Sequence, residues 1–404
     1  MFSNVVRFGD EVFKKGLNMG DPLYFVERIA KVYFSNSLAF VVLYVTFIFS
    51  ALEVFCQLYL LMTEKPDLMN VFQLAPMCLT SLYVLISGIP LMMMKDDYQK
   101  LICQARQNIT AKIPMASPKT IETFREIYYK QIALYILFFL FCMTSVVSFL
   151  PTEGIDVENT IWPSIALLRL FPNDSGMLIS VIVAITYGSL GSKGFCVIFY
   201  GIHFMHLCTL YQIQSILLQK QLEMVNSTKW NCSDLVLNDN EKYQEWVRIK
   251  IRRCIMEHIK FLRFGKFLKA HFKYPLLLQI FNGVLLLTIL FYITYYLQGG
   301  VSPIGFSNFM VATFAMIFVF AYHSELYSQQ DQHILSTVFE VPWYTFGRSN
   351  RKMFLILAMN VCPRENYLSG GGIFSVNFNL FIWMLHKVVN LLTIMTGMVD
   401  NIVD

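Results

Sequence analysis

The chain has 404 residues, of which 56% are apolar and only 15% charged, and its mean hydropathy is +0.51. A water-soluble protein of this length carries about a quarter charged residues and under half apolar ones, so the composition points to lipid as the main solvent. The net charge of +5 is too mild for a nucleic-acid binder, and the nine cysteines are scattered at no metal-ligand spacing, which argues against zinc ribbons and disulfide frameworks.

Residues 1–36 form an arm with Arg7, Lys14, Lys15, Arg28 and Lys31 but no apolar core of a signal peptide. Crossing about 30 Å of hydrocarbon takes about 20 mostly apolar helical residues. Seven stretches qualify, near Leu38–Met62, Val71–Met94, Ile132–Leu150, Met177–Leu218, Leu276–Leu297, Ile304–Tyr322 and Ile373–Val399. None alternates in the manner of a barrel strand. The fourth is about twice as long as one crossing needs and is expected to leave the bilayer. After a polar break at 226–240, helical periodicity resumes at Tyr243, Trp246, Val247, Ile251 and Ile255, interleaved with Arg248, Arg252, Arg253 and Lys260. This basic amphipathic stretch reads as an extension of the fifth span; a peptide-binding or calmodulin-like site is the weaker alternative. The expected fold is an all-α membrane protein with seven spans and a bundle outside the bilayer. Its segments are the arm 1–36, spans one to four over 37–218, a helical extension over 219–275, spans five and six over 276–322, an anchor segment over 323–372, and the last span over 373–404.

Lysine and arginine sort by loop. The arm holds five, loop 95–131 seven, loop 219–275 twelve and loop 323–372 four, so 28 of the 32 fall on one side. Basic loops stay in the cytoplasm, which predicts a cytoplasmic N-terminus and, after seven crossings, an extracellular C-terminus. A G-protein-coupled receptor runs the other way. Glycosylation sequences occur at Asn108, Asn173, Asn226 and Asn231, and this orientation leaves only Asn173 facing the modifying machinery.

Candidate catalytic groups are few. His203 and His206 share a helix face at i, i+3, a conceivable start to a metal site in a seven-span metal-dependent hydrolase. His258, His271, His323, His333 and His386 bring no acidic ligand at depth, and the expected alternative is local hydrogen bonding of interfacial rings. Glu53 is almost the only acid within a span, and one acid makes no proton relay. Gly370-Gly371-Gly372 is not expected to follow a strand and so does not form a phosphate loop. No enzyme, metal or cofactor is expected. On the last span, Lys387, Asn390, Ile394 and Met398 recur at spacings of three and four on one face. A stripe from charged through polar to apolar fits a helix lining a water-filled path closed by a hydrophobic constriction. Equally, Lys387 snorkels and Ile394 and Met398 pack on neighbours.

An ordered run now carries a resemblance: Ser324-Glu325-Leu326, Gln329-Gln330, Phe339, Trp343-Tyr344, Arg351-Lys352, Pro363, the Gly370–Gly372 turn, Phe374-Ser375-Val376 and Leu380-Phe381. Over about the last 75 residues the chain resembles the insect odorant receptor family, and span number and orientation agree along the rest. The resemblance implies a subunit of an odorant-gated, non-selective cation channel, assembled around a central pore with the odorant receptor co-receptor as a heterotetramer. It also implies residence in the plasma membrane of olfactory sensory neuron dendrites. Phe339–Leu357 would be the cytosolic half of the seventh helix, and Ile394 and Met398 would occupy the two hydrophobic gate positions. The chain carries Asn390-Leu391 where the family often has Ser/Thr-Tyr, and it lacks the Thr-Tyr…Gln-Phe signature of gustatory receptors. Four copies of Lys387 around one pore would repel one another, which favours a heteromer. By the same resemblance, a small volatile ligand would sit between spans two, three, four and six. The residues implied are Phe72, Thr80 and Tyr83; Met143, Thr144 and Val147; Ser180, Ala184 and Tyr187; and Phe309, Met310 and Thr313. The hydroxyls of Thr80, Tyr83 and Tyr187 would donate to an ester or carbonyl.

Overall fold

The computed structural model describes residues 2–25, 37–63, 75–85, 95–149, 176–226, 240–296, 303–361 and 367–403. Phe72 and Asn173 lie outside these residues, as do the side chains of Ser180, Ala184 and Met398. In chain order the helices are α1 (Phe2–Asn18), α2 (Ser37–Thr63), α3 (Ala75–Leu85), α4 (Lys95–Thr110), α5 (Pro118–Val147), α6 (Gly176–Glu223), α7 (Glu241–Tyr296), α8 (Pro303–Glu340), α9 (Arg348–Val361) and α10 (Phe378–Val403). Five contain stretches long and apolar enough to cross a membrane: Pro118–Val147, Tyr187–Glu223, Glu241–Tyr295, Ile304–Glu340 and Phe378–Gly397. Two shorter apolar helices, Tyr44–Tyr59 and Ala75–Leu85, complete seven.

Local chemistry sets where the helices begin. Ser117 caps α5 by accepting from the Thr120 amide at 3.2 Å, and Pro118 fills the first turn, where a missing N–H costs nothing. Asn240 Oδ1 accepts from the Tyr243 amide at 3.1 Å to open α7, and Asn377 does the same for α10 through the Leu380 amide at 2.9 Å. At about 1.5 Å per residue, the 48 residues of α6 and 56 of α7 extend about 70 and 85 Å, far beyond one bilayer. The basic amphipathic stretch and the fifth span are therefore one unbroken helix, with Pro275 inside it.

Two expectations from the sequence need correction. The sixth helix runs through Phe339 to Glu340 and stops only before Pro342, which has no amide hydrogen to continue it. The separate helix that follows is Arg348–Val361, so Phe339 belongs to α8 and not to the seventh helix. A short turn, Trp343–Thr345, ties α9 to the start of α7: the Tyr243 and Thr345 hydroxyls are 2.8 Å apart, and Gln244 Oε1 accepts from the Gly347 amide at 2.7 Å. The glycine triplet does follow a strand: Ser369–Gly370 pairs antiparallel with Phe374–Ser375, Ser369 opposite Ser375. Gly371 and Gly372 have φ of 67° and 82°, and the Ile373 amide closes the turn onto the Gly370 carbonyl at 3.0 Å. Two consecutive positive φ values are what a tight hairpin turn needs and side chains resist. The hairpin docks on α7 through the Gly371 amide, which donates to the Lys273 carbonyl at 2.8 Å.

The main core fills the space between α5, α6, α7 and α8 with aromatic rings. Phe204 lies 4.5 Å from Phe320 and 4.8 Å from Phe272, and Tyr211 is sandwiched at 4.2 Å between Phe261 and Tyr327. Each such pair adds about 0.5–1.5 kcal/mol beyond area burial. A smaller cluster of Met77, Phe149, Leu190, Leu286, Leu290, Ile293 and Phe306 forms a second core.

The histidines also differ from expectation. His206 is fully buried, and its Nε2 meets the Asp21 carboxylate at 3.1 Å, a bond across 185 residues and not a local one. Arg106 adds two donors to Asp21 at 2.6 and 3.2 Å, and the Leu23 amide a third at 2.9 Å. Burial pushes the Asp21 carboxyl up, but His206 and Arg106 together hold it below the usual carboxylate range. This knot pins the N-terminal segment to α4 and α6. His203 meets His271 edge-on, ring centres 5.9 Å apart, while the His323 ring nitrogens lie 3.0 Å from the Val319 carbonyl, one turn back, and 3.1 Å from Gln131 Oε1.

Candidate functional site

Five helices converge on a cavity of about 70 Å³. Helix α3 contributes Thr80 and Tyr83, α5 contributes Cys142, Ser145 and Val146, and the turn just after it contributes Phe149. Leu190, Lys193, Gly194 and Val197 come from α6; Gln279, Asn282, Gly283 and Leu286 from α7; and Phe309, Ala312, Thr313 and Met316 from α8. The lining is mostly apolar with a few convergent polar groups, the usual make-up of a small-molecule site. Gly194 brings α5 and α6 together, because a Cβ there would stand 2.6 Å from a Val146 methyl.

Its polar groups include acceptors and donors: Tyr83, Lys193 and the side-chain amides of Gln279 and Asn282 carry O–H or N–H hydrogens beside the threonine hydroxyls. The Thr80 hydroxyl donates to the Pro76 carbonyl at 2.7 Å and the Thr313 hydroxyl to the Phe309 carbonyl at 2.8 Å. Their hydrogens are spent on their own helices, and only lone pairs face other partners. Gln279 is 5% exposed, and its Oε1 is buried with no hydrogen-bond partner among the described residues. A bare buried carbonyl oxygen of this kind costs about 1–3 kcal/mol until something donates to it. Lys193, 2% exposed, donates to the Glu53 carboxylate of α2 and to Ser81 Oγ at 2.8 Å, while Ser81 passes its own hydrogen to the Met77 carbonyl at 2.9 Å.

Of the residues expected in the pocket, Thr80, Tyr83, Phe309 and Thr313 line it. Tyr187 and Met310 pack beside it against the smaller core, and Met143 packs half-buried against the main one. Thr144 and Val147 face outward, with Thr144 donating to the Leu140 carbonyl at 2.9 Å. Their neighbours Cys142, Ser145, Val146 and Phe149 hold the inward face instead, a rotation of about 100° per residue that hydropathy alone does not resolve in a helix apolar all round. The sequence reading also omitted the fifth span, which supplies four lining residues, and the Lys193–Glu53 pair. The signal was present: opposite charges in two apolar spans, and Gln279 with Asn282 at i, i+3 in a third.

Helix α10 turns Met384 and Val388 inward, whereas Lys387, Asn390 and Ile394 are exposed. The Lys387 ammonium rests 5.4 Å from the Trp383 ring centre, and Thr393 donates to the Val389 carbonyl at 3.0 Å. A second, smaller void of about 20 Å³ separates α10 from α7 and α8 and is lined by Gln279, Ile317 and Met384, among others. Gln279 thus borders both the ligand-sized cavity and the space behind the terminal helix. A Cβ at Gly283, one turn along α7, would stand 2.8 Å from Ile317 and 3.3 Å from Met384.

No curated protein sequence matches the chain. Among solved structures, that of the insect olfactory receptor OR5 from Machilis hrabei superimposes with a TM-score of 0.65 at 11% identity, covering 89% of this chain and 88% of the other. The same receptor in complex with eugenol gives 0.62 at 11% identity with the same coverage. The family profile described as 7tm Odorant receptor matches residues 67–388. The chain therefore belongs to the odorant receptor family of multi-pass membrane receptors, which are not enzymes.

Proposed function

We propose that the chain is the odour-tuning subunit of a ligand-gated, non-selective cation channel, working as a heteromer with the odorant receptor co-receptor. The ligand is a small volatile molecule held in the cavity between α3, α5, α6, α7 and α8. Thr80, Tyr83, Phe309 and Thr313 contact it together with Gln279 and Lys193. Because the cavity offers the lone pairs of Thr80 and Thr313 and the bare Gln279 carbonyl alongside the donors of Tyr83 and Asn282, the favoured odorants carry a hydroxyl, which both gives and accepts a hydrogen bond, as alcohols and phenols do. An ester supplies no hydrogen to these groups. That a solved relative of the same fold was captured with eugenol supports a small aromatic or aliphatic volatile as the ligand class.

The observation that carries this reading is the position of Gln279, which borders the cavity on one side and the void against Met384 on the other. A ligand hydrogen-bonded to Gln279 binds one arrangement of α7, α8 and α10 better than another, and that difference in affinity moves the open–closed equilibrium. The exposed stripe of Lys387, Asn390 and Ile394, with Met398 further along α10, borders the pore, and Ile394 and Met398 form its constriction. The N-terminus lies in the cytoplasm, where 28 of the 32 basic residues accompany it, and the anchor segment 323–372 meets neighbouring subunits there. The membrane is that of the sensory dendrite.

Co-expression with a co-receptor, recording currents over panels of alcohols, phenols, esters and aldehydes, tests this. Currents led by hydroxylated volatiles and weakened by Gln279→Leu support the reading; indifference to every cavity substitution contradicts it.

A further inference from the structure

At the far end of the long helices lies a larger cavity, about 540 Å³, separate from the one beside Gln279. Its cations are Lys112, Lys119, Lys220, Lys250 and Arg253, against one lining carboxylate, Glu223. Glu223 is taken by Lys220 at 2.7 Å, and Lys112 is paired outside the lining with Glu257. Among the described residues, no acid pairs with Lys119, Lys250 or Arg253, although Lys250 lies 5.7 Å over the Trp246 ring. Three elements distant in sequence therefore bring together more positive charge than they neutralise, which costs self-repulsion unless an anion is present.

The remaining lining describes the anion. Gln221 Oε1 is buried with no hydrogen-bond partner among the described residues, and the Ser117 and Thr120 hydroxyls stand 2.9 Å apart at the start of α5. These groups suit a ligand with hydroxyls as well as charge. No aromatic side chain lines the cavity among the described residues, so nothing offers a nucleobase a stacking face. Position decides between a membrane lipid and a free solute. Lys193 and Lys220 lie on the same helix, about 40 Å apart at helical rise, and Arg253 precedes Pro275 by about 33 Å along α7. The headgroup layer adds only about 5–8 Å to each side of the hydrocarbon, so a lipid headgroup does not reach the cavity.

We propose that this cavity binds a soluble polyol bearing several phosphates, of the inositol polyphosphate class, which clamps the start of α5, the end of α6 and the first turns of α7. The site is independent of the odorant cavity and stands or falls without it.

The test uses the full-length receptor in phosphatidylcholine nanodiscs, titrated calorimetrically with inositol 1,4,5-trisphosphate, which carries both phosphates and free hydroxyls. Saturable binding is expected, with sulfate at matched ionic strength failing to displace it. The triple variant Lys220→Gln, Lys250→Gln, Arg253→Gln should weaken binding on the order of tenfold or more through loss of charge-assisted hydrogen bonds. Arg253→Gln alone, at an exposed side chain, should weaken it about threefold even if the triple variant does not purify. Lys242→Gln, exposed and outside the lining, should change nothing. Displacement by sulfate, unaltered binding by Arg253→Gln, or equal competition by ATP would overturn the assignment. So would a thermal shift produced by phosphatidylinositol bisphosphate in the nanodisc but not by the free polyphosphate.

Discussion

The Lys193 ammonium and the Glu53 carboxylate, carried by two different apolar helices, meet as an ion pair next to the ligand cavity. Each charge alone would be costly at that depth; together, with Ser81 accepting a further bond, they hold α2, α3 and α6 in register. The pair also fixes where a charged group stands at the cavity wall.

Breaking one half of this pair strands the other. Lys193→Met should lower stability by about 3–5 kcal/mol, and Glu53→Gln by a comparable amount. The double substitution should recover most of the loss, because no uncompensated charge remains. Thermal unfolding of the four proteins in detergent checks this; additive losses would mean the two residues act separately.

The Asp21 knot predicts an acid-labile N-terminal segment. The folded carboxyl is held below its ordinary value of 3.8, so its stabilisation is complete above about pH 4 and is lost as pH falls through the folded value. Asp21→Asn should cost about 1.5–3 kcal/mol at neutral pH, the worth of hydrogen bonds to a charged group, and should flatten the loss below pH 4. Unfolding temperature against pH measures both; a parallel pH profile in the variant would contradict the assignment.

At the cavity, Gln279→Leu should raise the half-maximal concentration for a hydroxylated volatile about tenfold, near 1.4 kcal/mol, and leave currents evoked by a co-receptor agonist unchanged. Gln279→Glu keeps an acceptor in place and should preserve the preference for donors better than leucine does. Dose–response curves with both agonists separate altered binding from altered gating.

Gly371→Ala should destabilise the hairpin by about 1–2 kcal/mol. Its φ of 67° is the left-handed region, and the new methyl would stand 2.8 Å from Leu277. A Cβ at Gly397 meets nothing within 4 Å among the described residues, so Gly397→Ala should carry no such loss. Thermal unfolding of the two variants gives the comparison.

The apolar helices and the unusual length of the fourth, which continues to Glu223, were legible because apolar runs are properties of the chain alone. The end of α8 was misplaced by the motif run, although Pro342 marked it. Which face of α5 turns inward was not legible, since Leu140, Phe141, Cys142, Met143 and Thr144 give a helix little contrast from side to side. His206 gave no hint of Asp21, 185 residues away, because long-range pairing follows from how helices stack and not from periodicity. Thr80 was read as a potential donor; the structure commits its hydrogen, and that of Thr313, to carbonyls one turn back, which leaves their lone pairs facing the cavity. On α10, Lys387, Asn390 and Ile394 share an exposed face that was visible in their spacing.

The most direct test of the central claim is current recording from cells expressing this chain with and without a co-receptor, during application of small alcohols and phenols. The account predicts inward cation currents that need both chains, rise with odorant concentration, and change in baseline leak when Ile394 is replaced by alanine. Responses identical to those of the co-receptor alone, whatever volatile is applied, would contradict it.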